Sequence, residues 1–260
     1  MNTEEKYITT LVGCALGDTL GMPVETWKPE QIRKYVGRIT KPIAPLFVRD
    51  GDSIVRQDEF GELKYWSRHF KKGEYTDDTI LSVAIAEAIA KYGYDLDAVA
   101  NAQLKEYEKR LLPIGVAHGG FGGTTVKGFK NLQKGIRPTG SGVIGSPGNA
   151  PPMKMSPVGL YMDATDTDDK GLEFAGQIGK TTHLDPRSIA SGVVQAHAIY
   201  SILNGISKEE FLDSLVEVAW VHEEPVLNQH KLSERGRLQH KIQWVNDNEN
   251  ASVETAYEQL

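Results

Sequence analysis

The run Gly73-Glu74-Tyr75-Thr76-Asp77-Asp78-Thr79, followed by Ile80-Leu81-Ser82-Val83-Ala84-Ile85-Ala86-Glu87-Ala88-Ile89-Ala90-Lys91, decides the fold class. From Ile80 onward the apolar positions go nearly all round a 3.6-residue period rather than along one stripe, which predicts a helix surrounded by other helices. Gly93 is placed to end it. At the head of this helix Thr76, Asp77 and Asp78 crowd three oxygen-bearing side chains together. Adjacent carboxylates repel, and hard oxygen donors suit Mg²⁺, Mn²⁺ or Ca²⁺ rather than zinc, so a divalent ion would relieve the repulsion. The same residues also read as an ordinary helix start, with Thr76 or Asp77 as N-cap and Asp78 favoured by the helix dipole.

Working back toward the start of the chain, Tyr7, Ile8, Leu11, Val12, Ala15, Leu16 and Leu20 recur at helical spacing and stop at Gly21-Met22-Pro23, which predicts a first core helix. Gly13, Gly17 and Gly21 weaken that helix, and Asp18 places a charge among apolar neighbours. Close helix packing would account for the glycines. Asp18 reads equally as a carboxylate satisfied by nearby backbone or as part of a site. Glu25 lies in the loop beyond. From Thr26 to Lys72 the pattern is irregular, with a short helix expected over 29–36, a polar turn at Arg49-Asp50-Gly51-Asp52 and a small hairpin over 53–66.

Working forward, Asp95 to Leu112 is amphipathic and predicts a surface helix. Gly115, Gly119, Gly120, Gly122 and Gly123 then precede a short helix, where backbone N–H groups could approach an anion, although the spacing is not that of a Walker loop and a flexible surface loop reads as well. A second loop, Ser141 to Pro152, combines Gly142, Gly145, Gly148, Ser146 and Asn149. Two backbone-rich loops in one chain suggest a ligand crevice. Thr165-Asp166-Thr167-Asp168-Asp169 precedes a short helix over 172–178 and reads as capping acids. Asp185-Pro186 predicts the start of a helix running to Leu203 and ended by Gly205, with His183 just outside it. Ser207-Lys208-Glu209-Glu210 is a capping box for the next helix. Residues 228–250 are polar and charged, and 252–260 read as a further helix.

The chain of 260 residues is long enough for one large core, and a single domain is expected over 1–260. Neither an internal repeat nor a βαβ alternation is present, so the expected class is all-α. A net charge of −6 argues against broad nucleic-acid binding, and no long uncharged apolar run supports a membrane span. The opening Met1 to Lys6 lacks a basic-then-apolar leader, and the single Cys14 cannot form an internal disulfide, so a soluble, cytoplasmic protein is expected. The histidines show no zinc-binding spacing.

Taken together, Gly13-Cys14-Ala15-Leu16-Gly17-Asp18-Thr19-Leu20-Gly21 with Glu25, Tyr75-Thr76-Asp77-Asp78-Thr79, Gly148-Asn149-Ala150-Pro151-Pro152-Met153-Lys154-Met155-Ser156-Pro157-Val158-Gly159-Leu160 and Thr182-His183 resemble, in order and spacing, the ADP-ribosylglycohydrolase family. The resemblance implies a compact, orthogonal multi-helix bundle with a two-magnesium cleft. Thr76, Asp77 and Asp78 would hold Mg²⁺ (or Mn²⁺), and Glu25, with Asp77 and Asp78, would take part in catalysis. Gly145, Ser146, Gly148 and Asn149 would hold the diphosphate and ribose of ADP-ribose, with His183 beside them and Gly119, Gly120, Gly122 and Gly123 nearby. The implied activity is magnesium-dependent hydrolysis of the glycosidic bond joining ADP-ribose to a protein side chain or small conjugate, with ADP-ribose or an ADP-ribosylated protein as partner and no nucleic acid or membrane.

One departure stands against the resemblance. The family supplies the rest of its metal site from a Gly-Asp-Thr-Asp-Thr type motif near the C-terminus, and nothing after Asn228 matches it, as though the domain were truncated there. Two other readings follow: an inactive relative that binds ADP-ribose, and a structural or partner-binding protein on the same fold. The cluster Thr165 to Asp169 resembles that motif in letters but stands at another place in the order, so no ligands are assigned to it.

Overall fold

The computed structural model describes the chain except for residues 26, 45, 50–52, 57–69, 231–236, 249, 253–254 and 256–260, and at 46–49, 53–56 and 224–230 it describes the backbone alone. The architecture is all-α, as expected, with one small antiparallel hairpin among the described residues. The chain divides into two compact units that interleave in sequence: Met1–Leu81 with Glu106–Phe121, and Ser82–Lys105 with Gly122–Leu260.

The first unit opens with α1 (Thr3–Gly21), which Asn2 and Glu5 start with a reciprocal capping box. Among the described residues its apolar positions are only partly covered, with Tyr7, Leu11, Ala15 and Leu20 half-buried. Thr19 alone is buried, while Ile8, Val12 and Leu16 are 54%, 58% and 51% exposed. Among the described residues a Cβ on Gly13, Gly17 or Gly21 would meet no atom within 4 Å, so close packing against them does not explain the glycines. A buried 3₁₀ turn, Met22-Pro23-Val24, follows and delivers Glu25. Then come α2 (Pro29–Tyr35), close to its expected span, and the hairpin β1 (Leu46–Arg49) and β2 (Ser53–Arg56) in register Phe47↔Val55. The strands lie earlier than the hairpin expected over 53–66; residues 57–66 of that expectation, and 50–52 of the polar turn, fall outside the described residues.

Helix α3 (Asp77–Tyr92) is the expected central helix, closed by Gly93 at φ 67° with its N–H on Ile89 O. It is not buried all round: Val83, Glu87 and Ala90 form one exposed stripe at i, i+4 and i+7. Helix α4 (Leu96–Glu108), started by Asp95 Oδ1 accepting from Ala98 N–H, buries Val99, Ala100 and Gln103 and exposes its charged face.

The second unit also holds α5 (Gly123–Gln133), α6 (Ser156–Thr165), α7 (Asp168–Lys180), α8 (Pro186–Leu203), α9 (Lys208–His230) and α10 (Leu238–Asp247). Its core joins Ile85, Ala88 and Ile89 to Val99, Met155, Val158, Met162, Phe174, Ile178, Val193 and Ala196. Fully burying side chains of this size contributes roughly 1.5–3 kcal/mol each before chain entropy is subtracted. Asp185 caps α8 by accepting from Arg187 N–H at 3.1 Å, with Pro186 at the first position, as its sequence predicts. Ser207 caps α9 through Glu210 N–H at 3.2 Å. The acidic stretch 165–169 serves the α6–α7 corner: Asp166 takes a left-handed φ of 50° and Asp168 and Asp169 fill the first turn of α7, the capping role read from sequence. Helix α10 falls in a stretch whose polarity gave no helix signal. Its start is held from outside by the buried Glu223 of α9, whose carboxylate accepts from Leu238 N–H at 2.8 and 3.0 Å. No described helix is long and apolar enough to cross a membrane.

Two glycines give opposite outcomes on substitution. A Cβ on Gly159 of α6 would come within 2.5 Å of Ala196 O and 2.7 Å of Ile199 Cβ on α8. Gly159→Ala is expected to cost about 1–3 kcal/mol of stability. Gly13→Ala, in a helix interior with open space around it, is expected to add about 0.5–1 kcal/mol. Urea denaturation of the two variants checks both signs.

Candidate functional site

In the first unit, three separated stretches meet at the head of α3. The first turn of a helix has N–H groups with no internal partner, and here each receives one from a different source. Asp77 N–H donates to Gly119 O at 2.7 Å, Asp78 N–H to Thr76 Oγ1 at 3.3 Å, and Thr79 N–H to Asp18 Oδ2 at 3.2 Å. Thr76 is thus the N-cap that one reading of the sequence expects, and its hydroxyl also joins the acids. Thr76 Oγ1 lies 2.8 Å from Asp18 Oδ1 and 2.9 Å from Asp78 Oδ2. Asp18 further accepts from Thr76 N–H at 2.8 Å and from the Thr79 hydroxyl at 2.6 Å.

Gly119 and Gly120 pass over this helix end with φ of 127° and 85°, a conformation that L side chains rarely adopt. A Cβ on Gly120 would lie 3.3 Å from Asp77 Oδ1 and 3.4 Å from Thr76 Cβ. The glycines are required there because backbone has to touch the acids. Asp77 is buried, and its carboxyl is pushed up to about 8 by desolvation first and then by the charge of Asp78, with Glu25 and Asp18 adding to it. Asp78 is also raised, by burial first and by the charges of Asp18 and Glu25, with the Thr76 hydrogen bond opposing them. Glu25 is exposed, and its field reaches both aspartates. The cluster therefore carries more negative charge than its surroundings neutralise.

The donor set is hard and oxygen-only, which fits magnesium. Among the described residues no three Asp, Glu, His or Cys side chains converge into a closed ion cage. Magnesium does not need one, since it is commonly held by one or two carboxylates and keeps several waters.

In the second unit the structure joins two glycine-rich stretches and His183. Gly122 is the N-cap of α5 and offers no side chain to its first N–H groups, and Gly123 begins the helix. Thr124 Oγ1 is hydrogen-bonded to Ser146 Oγ at 2.7 Å, tying the head of α5 to the loop that contains Gly145, Gly148 and Asn149. Thr125 Oγ1, buried in the same helical turn, has no hydrogen-bond partner among the described residues. Gly148 N–H donates to Ser188 Oγ at 2.7 Å, and a Cβ there would lie 2.7 Å from His183 Nε2. Gly142 runs backbone to backbone beside His183, donating to Lys180 O at 2.9 Å, and Val143 bridges His183 in parallel. Gly145, Gly148 and Asn149 are exposed.

His183 is buried, with Nδ1 3.1 Å from Thr182 Oγ1, and its imidazole is pushed down to about 4 by burial and by the charge of Lys154, against a smaller opposing pull from Asp185. It is a neutral hydrogen-bonding group at physiological pH. Lys154, fully buried and donating to Gln103 Oε1 at 2.7 Å, and Ser188 are members of this region that sequence patterns did not single out. A lysine followed by Met155 and a serine in α8 look like surface residues on propensity alone. Asp18, by contrast, had a signal: a lone carboxylate inside an apolar helix has to find donors.

The chain is similar to known proteins along its whole length. A profile of the family described as ADP-ribosylglycohydrolase matches residues 1–260. An uncharacterized protein of Archaeoglobus fulgidus is 28% identical over 260 residues, covering 99% of this chain and 71% of that protein. The uncharacterized protein YegU of Escherichia coli is 24% identical over 264 residues, covering 98% and 71%. A solved structure titled ADP-ribosylglycohydrolase-related protein complex superposes with a TM-score of 0.60 at 18% identity, over 93% of this chain and 67% of that one, and so shares its fold. With a profile match along its whole length, the chain belongs to the ADP-ribosylglycohydrolase family.

Proposed function

We propose that the protein is a magnesium-dependent hydrolase that cleaves the glycosidic bond between ADP-ribose and a modified protein side chain or a small ADP-ribose conjugate. Family membership supports the glycohydrolase part. The observation that supports the metal part is the meeting of Thr76, Asp77 and Asp78 with Asp18 at the head of α3, where burial first and the neighbouring acids second push the Asp77 carboxyl up to about 8. Thr76, Asp77 and Asp78 would hold the ion, which supplies a Lewis acid able to orient ribose hydroxyls and acidify a water.

The remaining chemistry falls to the chain. Hydrolysis at the anomeric carbon needs one group to take a proton from water and another to protonate the leaving atom. Glu25 is exposed while Asp77 is buried, so Glu25 is the carboxylate able to reach a substrate. In the second unit, the uncapped head of α5 and the exposed Gly145-Ser146-Pro147-Gly148-Asn149 loop offer N–H groups and a hydroxyl to a diphosphate. Neutral His183 serves that loop as a hydrogen-bonding wall rather than as an acid. A second reading is an ADP-ribose-binding relative without turnover, favoured by the lack after Asn228 of a match to the family's second acidic motif.

Isothermal titration of ADP-ribose into the protein separates the two. The hydrolase reading expects Mg²⁺ to tighten binding at least tenfold, and expects Asp77→Ala/Asp78→Ala to abolish that gain. Equal affinity with and without Mg²⁺ supports the binding relative instead.

The acids also predict a pH signature in the metal-free protein. The Asp77 carboxyl titrates near 8 in the fold against an ordinary value of 3.8, so the folded state binds more protons than the unfolded one between those values. The stability it contributes is complete below the ordinary value and is lost as pH rises through about 8. His183 has the opposite sign: lowered to about 4 from 6.5, its contribution is present above 6.5 and is lost as pH falls through about 4. Above pH 6.5 only the Asp77 effect of these two remains. Urea denaturation in chelator is expected to show a loss of about 1–2 kcal/mol between pH 6.5 and 8. Asp77→Asn should remove that slope.

A further inference from the structure

Between Glu108 and Asp163 the sequence contains no acidic residue, although Asp and Glu number 35 in a chain of net charge −6. The part of this run in the second unit carries Lys127, Lys130, Lys134 and Arg137, all exposed. On α5, Lys127, Lys130 and the C-cap Lys134 stand at i, i+3 and i+7 and share one face, opposite the fully buried Phe129. The chain then reverses at Gly135, φ 81°, and Ile136 N–H donates back to Asn131 O at 3.1 Å, which brings Arg137 to the same end of the helix. None of the four cations has an ion-pair partner among the described residues. A helix dipole favours cations in the last turn, but it accounts for neither Lys127, in mid-helix, nor Arg137, beyond the end.

This face borders the exposed loop. Thr124 Oγ1 meets Ser146 Oγ at 2.7 Å, and Asn131 Nδ2 donates to Ser141 O at 2.8 Å. The loop therefore runs along α5, and Lys127, three residues after one tie and four before the other, sits on the turn between them.

We infer that the cationic face of α5 docks an acidic stretch of the protein that carries the ADP-ribosyl group, so that modified side chains flanked by Asp and Glu are preferred. The inference rests on the ADP-ribose reading above and adds a substrate class to it. Opposite charges across an interface speed encounter and fix register more than they add affinity. Two features favour a protein over a nucleic acid as the source of the negative charge. Single-stranded nucleic acid is held by stacking on aromatic side chains, and Phe129, the one aromatic residue between Phe121 and Tyr161, is buried. Ile136 in the turn and Ile144 in the loop, 42% and 68% exposed, add apolar contact of the kind a protein partner covers.

Two synthetic peptides test this on the full chain, each bearing one ADP-ribosylated residue, flanked in one by Glu and Asp and in the other by Lys. Fluorescence anisotropy, read in chelator to hold turnover off, is expected to give the acidic conjugate at least tenfold the affinity of the basic one at low salt. The ratio is expected to fall below twofold in about 1 M salt, where screening cuts the range of charge to about 3 Å. Lys130→Glu/Lys134→Glu/Arg137→Glu is expected to erase the preference at low salt, while free ADP-ribose binds that variant within twofold of wild type. Equal affinity of the wild type for the two peptides, with ADP-ribose bound, overturns the inference and leaves the ADP-ribose reading standing. A preference that survives the charge reversal does the same. A wild-type chain that binds neither ADP-ribose nor either conjugate overturns both. An oligothymidylate that outbinds and displaces the acidic conjugate also overturns the inference, and makes the face a nucleic-acid contact. If the triple variant does not fold, Lys130→Gln/Lys134→Gln and the salt series on the wild type are read in its place with the same outcomes.

Discussion

The carboxylate of Asp18 is the constraint on which the acidic site depends. One side chain, carried at the end of α1, accepts from two backbone N–H groups and two hydroxyls of the first turn of α3. It does for that helix what an N-cap ordinarily does from within, and so frees Thr76 to face the acids as well as the backbone. The arrangement explains why α1 keeps its helical form although little of it is buried: its role is to deliver Asp18 and then, through the buried Met22-Pro23-Val24 turn, Glu25. A buried polar network of this kind is costly unless complete, and the first turn of α3 is complete in its backbone donors.

Close backbone approach is the corresponding theme in the second unit. Gly128 and Gly142 bring chain against the Thr181–His183 segment at distances where a Cβ would overlap backbone atoms, and Gly148 does the same against the His183 ring. These contacts fix the loop that carries Ser146 and Asn149 without any side chain filling the space. The apolar core beneath, from Ile85 to Ala196, supplies the rigid base, and the loop above it remains exposed and rich in N–H donors. In both units the glycines serve placement: over the acids at Gly119 and Gly120, and beside the histidine at Gly142 and Gly148.

Electrostatics separates the two regions chemically. Around Asp77 burial and then the neighbouring negative charges raise the carboxyl; around His183 burial and then the charge of Lys154 lower the imidazole. Each group is thereby pushed toward its neutral form. For the histidine this removes a proton-transfer role at physiological pH.

The sequence by itself determined the helical class, the central helix and its acidic head, the caps at Asp185 and Ser207, and the capping use of the stretch around Asp168. These are local: periodicity, a hydroxyl or carboxylate next to a helix start, and a glycine after its end fix them within a few residues. Only the tertiary structure decided which chains of donors and acceptors close. The glycines of α1 suggested close packing and have open space among the described residues, and its apolar positions suggested a core but are half-buried or exposed, because periodicity shows that a face exists but not what covers it. Helix α10 was invisible because the carboxylate that starts it, Glu223, lies 15 residues earlier in the chain. Asp18 could be seen as an anomaly, but its partners are 58 and 61 residues away, and hydrogen bonds that span such distances are set by how the helices pack, which no local pattern encodes.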